Sequence, residues 1–133
     1  MTAEHPPMDG EAARAHLLAR PEAREDFPFG PDVYVYKIGP KMFATLSYVN
    51  GVAQMNLKCE PNEAMALRDI FEAVRPGYHM NKAHWNTVTL DGSIPAGELE
   101  RMMDRSYALV VRGLRKAERT GLEIRHGKEA VYR

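Results

Sequence analysis

The feature that most constrains the fold of this chain is the dipeptide Asn50-Gly51, which separates two runs rich in β-branched and aromatic residues. Asn-Gly in this setting is a strong signal for a two-residue β-hairpin, because both central positions of a type I′ turn need positive φ. A further β-type run precedes the pair, beyond Gly39-Pro40. The sequence therefore predicts an antiparallel meander of three strands: Val33–Ile38, Met42–Val49 and Val52–Lys58.

The third of these strands shows a clear two-residue alternation. Its apolar positions are Ala53, Met55, Leu57 and Cys59, and the mostly polar positions between them are Val52, Gln54, Asn56 and Lys58. Successive residues of a strand point to opposite faces of the sheet. We therefore expect the apolar set to face the core, with Cys59 as a buried and unreactive thiol, and the polar row to face outward.

Helical spacing of apolar residues marks three helices. The first runs from Asp9, a residue type that caps helix N-termini, to about Ala19. The second begins at Pro61 and continues to Val74, before an Arg-Pro-Gly sequence ends it. The third spans about Ala96 to Arg112. We expect one side of this helix to face the core, with the residues Leu99, Met102, Met103, Ser106, Leu109 and Val110.

The remaining segments complete the prediction of the fold class. Residues 22–32 contain two prolines and a glycine and are interpreted as an ordered loop, whereas Trp85–Leu90 is a fourth strand. The order α-β-β-β-α-β-α predicts an α+β fold in which an antiparallel β-sheet packs against helices. Residues 9–114 would form this domain, between a flexible N-terminus (1–8) and a basic extension (115–133) that allows a short accessory helix or strand.

Composition places the chain among ordinary globular proteins. It has 133 residues, of which 44% are hydrophobic and 27% charged. Its 18 Lys and Arg balance 18 Asp and Glu, so it lacks the global field of a strongly basic nucleic-acid binder. With one cysteine, no signal-peptide pattern and no apolar run of about 20 residues, we expect a cytoplasmic protein without membrane association.

The stretch from Arg75 to Asn86 is the best candidate for a functional site, because it brings cations, amides and flat rings together. Arg and Lys neutralise phosphate, Asn contacts base edges, and aromatic rings stack on bases. Together with three lysines of the predicted hairpins, it gives the candidate nucleic-acid-binding residues Lys37, Lys41, Lys58, Arg75, Tyr78, His79, Asn81, Lys82, His84, Trp85 and Asn86. The alternative interpretation is structural: the rings belong to the core or its rim, the polar groups fix the loop, and the lysines are solvated.

Catalytic and cofactor signatures are weak by comparison. No Ser or Cys lies in a recognisable nucleophile motif, and no phosphate loop or dinucleotide fingerprint is present, so we expect neither an enzyme nor a cofactor. His79 and His84 are five residues apart, which suits one face of neither a helix nor a strand. Several N-terminal acids offer oxygen ligands for a hard cation, with a solvated acidic face as the alternative: Glu11, Glu22, Glu25, Asp26 and Asp32.

Several strings of the sequence match a family pattern. They are Glu25-Asp26-Phe27-Pro28-Phe29-Gly30, Lys41-Met42-Phe43-Ala44, Asn56-Leu57-Lys58-Cys59, Arg75-Pro76-Gly77-Tyr78-His79-Met80-Asn81-Lys82, His84-Trp85-Asn86-Thr87-Val88 and Asp91-Gly92-Ser93. Over about residues 9–114 the chain resembles the MmcQ/YjbR family. The resemblance implies a compact α+β fold with an antiparallel sheet, comparable to frataxin-like proteins and to the double-wing DNA-binding domain of a phage transcription factor. It also implies DNA binding, a common label of members, and it supplies no catalytic residues.

Three functions follow from these observations, in order of preference. The first is nucleic-acid binding, with DNA as the partner, through the hairpins and the Arg75 to Asn86 loop. The second is a protein-interaction module that uses the same surface. The third is a frataxin-like acidic metal site. The sequence leaves the oligomeric state open.

Overall fold

A six-stranded antiparallel sheet carries the helices of this protein on one face. The computed structural model describes residues 7–77 and 80–133. Along those residues the elements are α1 (Gly10–Leu18), β1 (Arg24–Asp26), β2 (Tyr34–Ile38), β3 (Lys41–Val49), β4 (Val52–Lys58), α2 (Pro61–Ile70), β5 (Val74–Pro76), β6 (Trp85–Thr89), α3 (Ala96–Arg112), α4 (Lys116–His126) and α5 (Lys128–Val131). The α+β class with an antiparallel sheet against helices is confirmed.

The sheet has the strand order β1-β2-β3-β4-β6-β5, so the predicted meander β2-β3-β4 forms its centre. The turn between β3 and β4 has φ values of 51° at Asn50 and 80° at Gly51, as a type I′ hairpin requires. Pairing from Val49 opposite Val52 to Ala44 opposite Leu57 then fixes the register of the two strands. The hairpin prediction is confirmed.

A β-bulge at Phe43 changes the alternation of β3. Met42 pairs with Lys37 and Ala44 pairs with Tyr36, so Phe43 has no partner of its own across β2. Phe43 and Ala44 are both fully buried, and the Phe43 ring contacts that of Tyr107 edge-on at 5.2 Å. The extra residue thus adds an aromatic side chain to the core on the helix side of the sheet.

The longest helix, α3, is anchored to the sheet by a buried hydroxyl. Ser106 Oγ donates a hydrogen bond to the carbonyl of Phe43 and accepts one of 2.8 Å from the backbone N–H of Lys58. The predicted bounds of this helix agree with the structure, and its predicted core residues are buried except Leu109, which is half-buried. At α1, the Asp9 side chain accepts a hydrogen bond of 2.9 Å from Ala12 N, which confirms the predicted cap.

Two predictions of local structure were wrong. Residues 24–26, assigned to a loop, form the edge strand β1, and they pair with β2 from Arg24 opposite Lys37 to Asp26 opposite Val35. The second helix ends at Ile70 instead of Val74, because Phe71 adopts extended backbone with φ −118° and ψ 119°. The chain then enters the edge strand β5, where Pro76 is tolerated because edge strands leave one row of N–H groups unpaired.

The C-terminal residues pack on the core. Leu122 of α4 and Val131 of α5 are 3% and 1% exposed and belong to the main hydrophobic cluster. Arg125 Nε donates a hydrogen bond of 2.6 Å to Glu22, which joins α4 to the connection between α1 and β1. Residues 1–6 of the segment predicted to be flexible lie outside the described residues, and Met8 is buried. Within residues 7–77 and 80–133, no helix combines the length and apolar character needed to cross a membrane.

Candidate functional site

The sheet has one face that the described helices leave uncovered, and we call it the open face. Directly opposed residues of antiparallel strands share a face, so the register identifies its members. Its strand positions are Arg24, Asp26, Val35, Lys37, Met42, Thr45, Ser47, Val49, Val52, Gln54, Asn56, Lys58, Arg75, Trp85, Thr87 and Thr89. The helices pack against the alternate residues, such as Leu46, Met55 and Val88.

A groove of about 510 Å³ lies on the open face. Its floor consists of four polar side chains from β3 and β4, and its walls are mostly apolar. The lining residues are Thr45, Ser47, Gln54 and Asn56 for the floor and Phe29, Val33, Met42 and Met80 for the walls. We refer to this cavity as the open-face groove.

Two connecting segments supply three of the four wall residues of the groove, and Met42 of β3 supplies the fourth. In the β1–β2 connection, the ring of Phe27 lies 5.2 Å from that of Tyr34, and Gly30 N donates a hydrogen bond of 3.3 Å to the Phe27 carbonyl. This turn places Phe29 at the rim, where it is 67% exposed. The β5–β6 connection supplies Met80. A concave, largely apolar site with a few polar groups is the usual form of a ligand pocket.

A chain of hydrogen bonds fixes the orientation of Asn56 on the groove floor. Thr87 Oγ1 donates to Asn56 Oδ1 at 2.6 Å, and Asn56 Nδ2 donates to Thr45 Oγ1 at 2.9 Å. Thr87 and Thr45 are 1% and 6% exposed and lie directly opposite Asn56 on the two neighbouring strands, so two buried hydroxyls hold the amide from either side. The polar row predicted for β4 is therefore a preorganised hydrogen-bonding surface.

A second side-chain amide of the groove floor, that of Gln54, is held by the guanidinium of Arg75. Arg75 Nη2 donates hydrogen bonds of 3.3 Å to Gln54 Oε1 and 3.4 Å to Thr89 Oγ1. With its oxygen occupied, Gln54 leaves its Nε2 amino group without a hydrogen-bond partner among the described residues. Arg75 itself stays exposed at the edge of the sheet, where its remaining N–H groups can reach a ligand.

The open face carries a local positive charge on a neutral protein. Its described strand positions include four cations, Arg24, Lys37, Lys58 and Arg75, and one carboxylate, Asp26, a net formal charge of +3. Asp26 accepts a hydrogen bond of 2.9 Å from Lys37 Nζ, and this contact lowers the pKa of the carboxyl. Lys58 Nζ forms neither an ion pair nor a hydrogen bond with the described part of the chain, so its charge is available to a ligand.

Hydrogen bonds fix the described residues of the predicted Arg75 to Asn86 loop. Gly77 N donates a hydrogen bond of 2.8 Å to the Trp85 carbonyl, and Ala83 N donates one of 3.0 Å to Asn81 Oδ1. Asn81, Lys82 and His84 are exposed, and Trp85 is half-buried. Tyr78 and His79 lie outside the described residues. The loop therefore presents one exposed lysine beside the open face.

Two predicted site residues lie on the helix side instead. Asn86 is 2% exposed, accepts a hydrogen bond of 2.7 Å from Arg68 Nε and donates one of 3.4 Å to the Ala64 carbonyl. Lys41 Nζ donates to the Gly113 carbonyl at 2.9 Å, at the end of α3. Neither side chain is directed to the open face, because Asn86 pairs with the core residue Leu57 and Lys41 with the core residue Ile38.

The structure thus brings Lys37, Lys58, Arg75 and Trp85 of the predicted residues together on one face. It also adds residues that sequence reasoning did not assign to a site: Phe29, Thr45, Ser47, Gln54 and Asn56. The outward polar row of β4 was the signal for two of them. The contribution of β3 and of the Phe29 turn depends on pairing and loop geometry, which the sequence does not show.

The N-terminal acids are distributed over separate contacts. Glu25 accepts a hydrogen bond of 2.8 Å from Arg14 Nε, which lowers its pKa, while Glu22 accepts bonds from two residues of α4. Asp26 is paired with Lys37. Residues 7–77 and 80–133 contain no group of three or more His, Cys, Asp or Glu side chains arranged to hold a metal ion. The acidic metal site therefore has no structural support among these residues.

Cys59 is enclosed rather than presented to a ligand. It is 7% exposed, and burial raises the pKa of its thiol to about 11. The adjoining cavity, between β4, α2 and α3, has a volume of about 10 Å³, roughly the space of one water molecule. The thiol stays protonated near neutral pH and is a poor nucleophile there.

Known proteins are similar to this chain in sequence. The YjbR family model matches residues 18–109. The chain belongs to the YjbR family. It is 38% identical over 108 residues to the uncharacterized protein YbdF of Escherichia coli O157:H7, covering 81% of this chain and 88% of that protein. It is 34% identical over 104 residues to the uncharacterized protein YjbR of Escherichia coli K12, covering 78% of this chain and 88% of that protein.

Solved structures show the same fold. The crystal structure of the Deinococcus radiodurans protein DR2400, which has the family-model domain DUF419, aligns with a TM-score of 0.81 and 35% identity and covers 90% of this chain and 91% of that chain. A crystal structure of a Pseudomonas syringae protein aligns with a TM-score of 0.68 and 28% identity, over 77% of this chain and 98% of that chain. These YjbR-family relationships establish the family and the fold of the chain.

Proposed function

We propose that this YjbR-family protein is a non-catalytic nucleic-acid-binding protein that uses the open face of its sheet. The observation that carries the proposal is the net charge of +3 on the strand positions of that face, beside a preformed polar groove. Cations that neutralise phosphates supply most of the sequence-independent affinity for nucleic acid. Lys58, Arg75 and, in the adjoining loop, Lys82 are the exposed or half-buried cations best suited to this role.

Aromatic side chains on the same surface support contacts with bases. Trp85 lies directly opposite Lys58 in the β4–β6 pairing, so a ring and a cation are neighbours on the open face. Phe29 lies at the rim of the groove and is largely exposed. Stacking of a base on such a ring contributes about 1–3 kcal/mol. A strand of nucleic acid can therefore gain both phosphate and base contacts from one surface.

A protein partner is the second candidate, and the exposed rings of the β1–β2 connection favour it. Phe27 and Phe29 are 43% and 67% exposed, although large apolar side chains are usually covered. Aromatic anchors are frequent in protein interfaces. Salt dependence separates the two candidates, because release of counterions from phosphates makes nucleic-acid binding far more sensitive to salt.

The test is a fluorescence-anisotropy titration of labelled DNA strands and duplexes at about 50 and 200 mM salt. We expect saturable binding that weakens with salt. Lys58→Ala should weaken it for every sequence and reduce the slope of log K against log salt by about 0.7–0.9, the value for one phosphate contact. Because the chain has one tryptophan, quenching of Trp85 fluorescence provides a label-free measure of the same binding.

Lys116→Ala is the matched control, because Lys116 is an exposed lysine at the start of α4, the helix whose Leu122 packs into the core on the helix side. This variant should bind like the unaltered protein. An absence of saturable binding below about 100 μM, the weak limit of non-specific affinities, would contradict the proposal. Equal losses in the two lysine variants would show that binding does not use the open face.

A further inference from the structure

The shape of the open-face groove selects the kind of nucleic acid that can enter it. Its volume of about 510 Å³ lies within the range of about 300–1,000 Å³ that small-molecule pockets show. The groove is concave, and its hydrogen-bonding groups form the floor. Bases in a duplex present their edges at the bottom of their own grooves, where only a protruding element reaches them. A concave site therefore needs a base that is unpaired and turned outward.

The hydrogen bonds already present determine which groups the floor still offers. Asn56 uses its oxygen for Thr87 and one N–H for Thr45, and it retains its second N–H. Gln54 uses its oxygen for Arg75 and retains both N–H groups. The Thr45 oxygen accepts from Asn56, so its own O–H remains a donor. The floor is thus rich in donors and suits a ligand that presents acceptors.

The walls suit the flat faces of a base. Four apolar side chains line the groove beside the polar floor: Phe29, Val33, Met42 and Met80. Aromatic rings stack on bases irrespective of sequence, and a thioether sulfur makes favourable contacts with aromatic rings. The walls therefore favour any base, and the donors of the floor discriminate between bases.

From these observations we infer that the open-face groove holds one unpaired nucleobase that bears exocyclic carbonyls and no exocyclic amino group, so the preferred ligand is a single strand containing thymine or uracil. Adenine lacks such a carbonyl and presents an amino group, which would meet the donors of the floor. This inference rests on the proposed function and specifies its ligand. Gln54, held by Arg75, is the residue that determines the base preference.

The experiment compares labelled oligothymidylate, oligoadenylate of equal length, their duplex and free thymidine monophosphate. We expect the thymidylate strand to bind about tenfold more tightly than the adenylate strand, a difference that one or two hydrogen bonds produce, and more tightly than the duplex. Gln54→Leu removes the two N–H donors that the floor holds at Gln54, at similar volume, and should reduce the contrast to about threefold or less, because the donors of Asn56 and Thr45 remain. Asn62→Leu is the matched control, since it makes the same kind of amide-to-leucine change at an exposed residue near the start of α2, on the helix side of the sheet.

A second readout does not depend on any variant. Gln54 is the one glutamine in the sequence, so its side-chain amide gives a distinct pair of NMR signals. These signals should move on addition of the thymidylate strand and stay in place with the adenylate strand. The urea denaturation midpoint of each variant establishes that a change in affinity is not a change in folding.

The outcomes separate this inference from the function on which it rests. Equal affinity for the two strands, or tighter binding of the duplex, would overturn the base preference. If that affinity still depends on Lys58 and on salt, the proposed nucleic-acid function is unaffected. Free thymidine monophosphate that binds as tightly as the strand would overturn the assignment to a strand. Binding of none of the four ligands would overturn both proposals.

Discussion

Arg68 Nε donates a hydrogen bond of 2.7 Å to Asn86 Oδ1, and this contact ties α2 to the buried face of β6. The same guanidinium donates to the carbonyls of Lys82 and Trp85, which lie where the exposed loop enters the strand. One side chain of α2 thus fixes both a buried amide and the end of the loop beside the open face. The planar fork of an arginine suits this arrangement, because it directs several donors at once.

Arg68→Ala should therefore destabilise the protein. It leaves the nearly inaccessible Asn86 amide oxygen without its donor, and loss of a hydrogen bond to a charged group costs about 1.5–3 kcal/mol in free energy of unfolding. Arg68→Lys should recover only part of this loss, because one ammonium group cannot replace the fork. Urea denaturation measures the effect, and Arg115→Ala, at a side chain that is 85% exposed, should change stability by less than about 0.5 kcal/mol. Equal stabilities of the two alanine variants would contradict the assigned role.

Gly77 lies so close to Trp85 that a side chain at this position would clash, and this can be tested in the same way. A Cβ at this position would lie 2.8 Å from the Trp85 Cβ and 2.9 Å from the Trp85 carbonyl oxygen, so β5 and β6 would have to separate. We expect Gly77→Ala to cost about 1–3 kcal/mol, the usual range for overpacking. Gly97→Ala is the control, because nothing lies within 4 Å of its added Cβ at the start of α3. That variant should be neutral or stabilised by up to about 1 kcal/mol, from reduced freedom of the unfolded chain.

The Glu25 carboxylate links stability to pH on the acid side. A hydrogen bond from Arg14 lowers its pKa in the folded state, against about 4.3 in an unfolded chain. A lowered folded pKa contributes stability that is present above about pH 4.3 and is lost as the pH falls through the folded value. The melting temperature of Glu25→Gln should therefore lie below that of the unaltered protein at neutral pH, and the gap should close below about pH 4.

The control for this titration is Glu129→Gln, which alters an exposed carboxylate of α5 that forms no ion pair with the described residues. Its melting temperature should follow that of the unaltered protein across the pH range. A gap for Glu25→Gln that stays constant from pH 7 to pH 3 would show that the carboxylate acts through packing and not through its charge.

Local sequence patterns were sufficient to predict the elements in which the spacing of apolar residues repeats over several helical turns or strand residues. The Asn50-Gly51 hairpin and the 17-residue α3 were predicted correctly for this reason. The three-residue edge strands are too short to show a period, and β1 consists of charged residues alone. The second helix was overextended because Phe71 and Val74 continue its apolar spacing, although Phe71 turns the chain into an extended conformation.

The residues of the candidate site were predictable only where strand alternation alone decides which face of the sheet a side chain occupies. Lys58 and its polar neighbours on β4 follow that rule. Asn86 shares the core face with Val88 by the same rule, but a buried amide needs a hydrogen-bond partner, and this partner, Arg68, comes from α2, 18 residues away in the sequence. The face of Lys41 depends on the bulge at Phe43, which shifts the pairing of β2 and β3 by one residue. These contacts are tertiary, so no local pattern encodes them.

The C-terminal extension offers a test of whether α4 is an integral part of the folding unit. Leu122 and Ile124 belong to the same helix and differ by one methyl branch position, but Leu122 is 3% exposed and Ile124 is 79% exposed. Leu122→Ala should lower the free energy of unfolding by about 2–5 kcal/mol, because it removes buried methyl groups and leaves a cavity. Ile124→Ala should change it by less than about 0.5 kcal/mol. Urea denaturation decides the matter: if both variants unfold at the midpoint of the unaltered protein, α4 does not contribute to the stability of the core, whereas a selective loss in Leu122→Ala makes residues 115–133 part of one cooperative domain.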